Sequence, residues 1–169
     1  MLGPFSAPAI AVVVGCVVLG AGIGARYLFF TSPDDAAVAR APRIADRPFE
    51  QAASAVCAHY VNVFDTATTL GKEPSQSQAG DFLSSIAGSF DAMVAQLKEI
   101  PVGSADQAAV HHWLDDWDAY DSYGHQYAAA VKTGSERDLV SNDSARIGAL
   151  RRERNGFARA NHMGTCAFA

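Results

Sequence analysis

Apolar residues recur along this chain in two patterns, one continuous and one periodic. The continuous pattern runs from Ala7 to Phe30, and between Ala9 and Ala25 it holds no charged and no strongly hydrogen-bonding side chain. At ~1.5 Å per helical residue, roughly 20 such residues span the ~30 Å hydrocarbon layer of a bilayer, so the run predicts a transmembrane helix. The periodic pattern occupies the rest. Phe49, Ala53, Val56, Tyr60, Val63, Ala67 and Leu70 alternate steps of four and three, a helix beginning near Pro48 and stopped by Gly71. After Pro74-Ser75 the same rhythm returns in Ala79, Leu83, Ile86, Phe90, Met93, Leu97 and Ile100, and Pro101 ends it. A third helix follows Ser104, with Gln107 spaced for a capping box, and it turns Val110, Trp113, Trp117, Tyr120, Gly124, Tyr127 and Val131 to the core before Gly134 closes it. The fourth runs from Leu139 through Ile147, Leu150 and Phe157 to Gly164, with Asn142-Asp143 as an expected break.

These elements predict an all-α protein in three parts. Residues 1–30 form the anchor and 31–46 a linker with two prolines and no periodicity; 47–169 form an up-down-up-down four-helix bundle. No alternating strand pattern competes with the helical one.

Other readings of the N-terminal run fit less of it. A cleaved signal peptide needs a basic start and a shorter apolar stretch, yet residues 1–25 contain no Lys or Arg. Val13-Val14-Gly15-Cys16 looks like a lipobox, but Val17 to Ala25 stays apolar where a lipoprotein would begin a polar tether. Arg26, Arg40, Arg43 and Arg47 would put the soluble domain on the cytoplasmic side. The cysteines argue the reverse. Cys16 lies in the run, which leaves Cys57 and Cys166 as a pair suited to an oxidising compartment. In an up-down-up-down bundle the two approach one end, where a disulfide forms or two separate thiols are buried. The reading adopted is a single-pass plasma-membrane protein with its domain outside the cytoplasm. Cys16, Gly20 and Gly24 recur every four residues and form a small-residue face for packing on another membrane helix, in a homodimer or a larger complex.

The net charge of −5 argues against nucleic-acid binding, because the basic cluster Arg151, Arg152 and Arg154 is interleaved with Glu153. One dense polar cluster remains. His111, Asp115, Asp118, Ser122 and His125 share one face of the third helix, a donor set suited to a divalent metal. That face points away from the apolar stripe, so it is expected to be solvated and to hold no tight metal site; any role for it would be as an acidic docking surface. Asp121 falls on the core side, as Arg154 does on the fourth helix, and an Asp121–Arg154 pair would satisfy both. No Gly-x-Ser-x-Gly setting, phosphate loop or His-Glu-x-x-His pair is present, so no catalytic residue and no cofactor are expected.

The chain's ending, from Phe157 to Cys166, resembles the A-x-x-x-G-x-x-C-like ending of small exported actinobacterial proteins. In that pattern the glycine has an apolar residue on each side; here Met163 precedes Gly164, while Thr165 follows it. The resemblance implies a membrane- or lipid-anchored helical domain with Cys57 as partner cysteine. It also suggests an accessory subunit of an envelope or respiratory membrane complex. Two function classes follow. The first is a non-enzymatic interaction domain whose partners are the lipid bilayer and other integral membrane subunits. The second is a ligand- or metal-binding, sensory bundle using His111, Asp115, Asp118 and His125.

Overall fold

A computed structural model describes residues 35–66 and 74–168. The continuous apolar run, and with it Cys16, Gly20 and Gly24, lies outside the described residues. Among those described, no helix is long and apolar enough to cross a membrane. The described chain is all-helical: α1 (Asp35–Arg40), α2 (Arg47–Thr66), α3 (Gln76–Lys98), α4 (Gln107–Thr133), α5 (Glu136–Ala160) and a 3-10 turn, Gly164–Cys166.

The long helices pack by the stripes that the spacing predicts. Phe49, Ala53 and Tyr60 of α2, Phe90, Met93 and Leu97 of α3, and Val110, Trp113 and Trp117 of α4 are all buried in one core. Their contacts fix the direction of neighbouring helices. Along the α3–α4 seam, Lys98 meets Asp118, Asp91 meets His125, and Asp81 meets Lys132. Rising numbers on one helix meet falling numbers on the other, so the two are antiparallel. Phe168, which the periodicity did not assign, folds back into the same core, its ring against Phe64, Phe90 and Trp117.

A disulfide joins Cys57 to Cys166 across 109 positions of sequence, and both residues are fully buried. Closing a loop of that size contributes about 4–5 kcal/mol in the chain-entropy model, by restricting the unfolded chain. It ties the end of the chain to the middle of α2.

Three expectations about boundaries are corrected. Residues 35–46 are not a loose linker. Ala37 and Ile44 are buried, and α1 crosses α5 where Gly156 lets the backbones touch. Asn161 then fastens the segment: its Oδ1 accepts from Ile44 N at 2.9 Å, and its Nδ2 donates to the Pro42 carbonyl at 3.0 Å. The Arg43 guanidinium donates to the Ala160 carbonyl. A segment with small residues and few large apolar ones carries little periodic signal even when it is docked.

Ser104 does not cap α4. The helix starts at Gln107, behind Asp106, whose carboxylate accepts from the Ala45 and Asp46 amides at 3.0 Å. Asp46 in turn caps α2, accepting from Phe49 N at 3.0 Å, and binds Gly103 N at 2.6 Å. These two backbone donors, Gly103 first, hold its carboxyl below the ordinary range. The capping box lies at Ser75 and Gln78 instead, opening α3.

The α5 helix is continuous through Asn142-Asp143, and it ends at Ala160 rather than Gly164. His162, in the left-handed region at φ 58°, reverses the chain, while Met163 N bonds the Ala158 carbonyl at 2.8 Å. The chain thus makes the long 6→1 bond of a Schellman ending with histidine in the left-handed position that glycine usually takes, and Met163 beyond it is buried.

Candidate functional site

The middle of the α3–α4 seam gathers three side chains of a type that can ligate a metal. Asp121 and His125 are one helical turn apart on α4, and Asp91 faces them from α3. His125 Nε2 lies 3.0 Å from Asp91 Oδ2 and 4.0 Å from Asp121 Oδ2. One ligand atom from each residue can be chosen so that all three lie within 4.8 Å of one another. The side chains of Asp91 and His125 are about half exposed, whereas Asp121 is only 8% exposed and its Oδ1 is buried without a hydrogen-bond partner.

Burial therefore separates the two carboxyls. Asp121 is pushed up to about 8, first by desolvation and then by its hydrogen bond with Asp91 and the charges of Asp91 and Asp118. Asp91 is held below the ordinary carboxylate range, chiefly by that hydrogen bond, with burial opposing and His125 adding to it. The proton shared by two close carboxyls rests on the buried one.

The residues singled out by the sequence fall in different places. His111, Asp115, Asp118 and His125 are all on the solvent side of α4. They do not converge: Lys98 Nζ holds both oxygens of Asp118 at 2.7 Å, and His125 turns toward Asp91. Asp91 escaped notice because helical periodicity relates residues along one helix. Its partners lie 30 and 34 positions away on another, and only the antiparallel register brings them together.

The expected Asp121–Arg154 pair is not formed, although both residues are buried. Arg154, with no measurable exposure, lies over the rings of Trp117 and Tyr120, 3.8 Å and 4.2 Å from their centroids. Its Nη2 donates to the Phe168 carbonyl at 2.5 Å and to Asn155 Oδ1 at 3.1 Å, while Nη1 has no hydrogen-bond partner. Burial lowers its pKa to about 10, so it remains a cation at neutral pH. Aromatic faces, the Phe168 carbonyl and the Asn155 side-chain oxygen take the place of a counter-ion.

A second concavity of about 210 Å³ lies between α1, α4 and α5, with Arg40, His112, Asp116 and Glu153 among its lining residues. Burial raises the Asp116 pKa there, and the Glu153 and Asp115 carboxylates add to the rise, while the Arg154 guanidinium opposes it. No protein-family model, curated protein or solved structure matches this chain.

Proposed function

We propose that this chain is a non-enzymatic, membrane-anchored interaction domain, an accessory or assembly subunit of a larger cell-envelope or respiratory membrane complex. In this reading one transmembrane helix precedes four long helices running up-down-up-down. The short connections at 99–106 and 134–135 favour antiparallel neighbours. The likeness of the chain's ending to small exported actinobacterial proteins agrees with it.

The observation that carries the reading is the docking of 35–46 on α5. Only residues 31–34 lie between the apolar run and this docked segment, and four residues reach at most ~14 Å. A domain held that close to the bilayer is suited to touching neighbouring membrane subunits. The disulfide favours an oxidising, extracytoplasmic compartment. Of the arginines that argued the other way, Arg43 and Arg47 each have a structural use, on Ala160 and Glu50 respectively. The exposed face around His111 and Asp115 would be the docking surface, with the Cys16/Gly20/Gly24 face as the contact within the membrane.

Isolation of the full chain in mild detergent tests this. Integral membrane subunits are expected to co-purify, and Gly20→Ile with Gly24→Ile should deplete them at least about tenfold while the unfolding temperature of the domain is unchanged. A chain that runs as a lone monomer, or one whose partners survive both substitutions, contradicts the proposal.

A further inference from the structure

Three rungs cross the α3–α4 seam, and the middle one differs from its neighbours. Lys98–Asp118 and Lys132–Asp81 each join one acid to one base at 2.7 Å. Between them, two carboxylates meet a single imidazole: Asp91 and Asp121 with His125. In the middle rung a proton retained on Asp121 makes up for the missing second base. One of its members, Asp121, is only 8% exposed; its Oδ2 stands 4.0 Å from His125 Nε2, and its buried Oδ1 has no hydrogen-bond partner. A buried carboxyl oxygen left without a partner is costly, and in a folded protein it calls for an explanation such as a water, an ion or a functional role.

We propose that Asp91, Asp121 and His125 form a binding site for a divalent transition-metal ion of the zinc class. The donor set is one oxygen from each aspartate and Nε2 of the histidine. Imidazole with carboxylates suits zinc and its neighbours, whereas calcium asks for six to eight oxygens and magnesium for near-octahedral oxygen geometry. Zinc holds such donors at about 2.0–2.2 Å, so tetrahedral ligand atoms lie roughly 3.4 Å apart. His125 Nε2 already stands 3.0 Å from Asp91 Oδ2 and 4.0 Å from Asp121 Oδ2, and the half-exposed Asp91 and His125 side chains have room to rotate toward the buried Asp121. Three protein donors leave a fourth position to water or to a donor from a docking partner. The ion would bridge α3 and α4 at mid-seam. This inference stands apart from the membrane reading, since it uses only residues of the helical domain.

The test is calorimetric titration of zinc into the full chain, stripped with chelator and held in detergent, with cobalt absorption as a second readout. The expected result is one saturable ion per chain and cobalt bands of tetrahedral intensity. Asp91→Asn and His125→Ala, both at partly exposed positions, should each weaken binding at least about tenfold while leaving helical circular dichroism unchanged. His111→Ala and Asp115→Ala should leave affinity as it is. Absence of saturable binding overturns the proposal, as does binding that survives Asp91→Asn and His125→Ala or disappears with His111→Ala.

Discussion

Arg154 and Asp121 are both buried, and each is accommodated in its own way. A guanidinium spreads its charge over a plane and is weakly hydrated, so the faces of Trp117 and Tyr120, set nearly at right angles, can hold it without a carboxylate. A carboxylate has no such option and keeps its proton instead. The sequence located both residues on core faces, because helical spacing reports burial. It could not report their partners, since those depend on Phe168 folding back and on the α3–α4 register. The protonation has a measurable sign. Unfolded Asp121 loses its proton near the ordinary carboxyl value of 3.8, whereas folded Asp121 keeps it to about 8. The folded state therefore binds more protons in that window, and its stability falls as pH rises through it. Asp116, also raised, acts in the same direction; Asp91, lowered, acts oppositely and only at acid pH. In urea with chelator present, the unfolding midpoint should fall between about pH 5 and about pH 9, and Asp121→Asn should flatten that fall. Equal slopes in the two proteins would remove Asp121 as the cause.

Among the elements, α1 was least legible and depends most on one contact. Ala37 packs so closely on α5 that a Cβ at position 156 would stand 2.9 Å from its carbonyl carbon. Periodicity finds stripes of large residues, and a helix of Asp, Ala, Val and Arg pressed on a glycine has none. The Ser104 cap failed for a related reason: local spacing favours it, but Asp106 is recruited by backbone amides some sixty residues away. By contrast, Gly134 was legible, because a left-handed residue at φ 71° closing a helix is a local requirement. Gly156→Ala should detach the segment. Amide exchange over 37–44 is expected to rise, with a stability loss of about 1–3 kcal/mol, typical of overpacking. Gly88→Ala, where nothing lies within 4 Å, should instead stabilise α3 by about 0.5–1 kcal/mol. Similar exchange in both variants would mean that α1 is not held by that contact.

At the scale of the whole molecule, the stripes of α3 and α4, that of α2 as far as Thr66, the helical class and the Cys57–Cys166 pairing were legible because each rests on strong local signals or on topology; of the fourth stripe only Phe157 is buried, and Ala67, Leu70 and Gly71 lie outside the described residues. The chemistry of the seam was not legible, because it arises only when two helices meet. The central claim is that this disulfide-clamped bundle, held beside the bilayer, presents the acidic face of α4 to a neighbouring membrane subunit. Photo-crosslinking in native membranes tests it most directly, with a photoreactive residue at Asp115 and a control at Ser144 on exposed α5. The account predicts one discrete adduct from position 115, to an integral membrane protein, and none from position 144. It also predicts that salt weakens the adduct, because charges on an exposed face are screened beyond ~8 Å at physiological ionic strength. No adduct from position 115, or the same products from both positions, would contradict it.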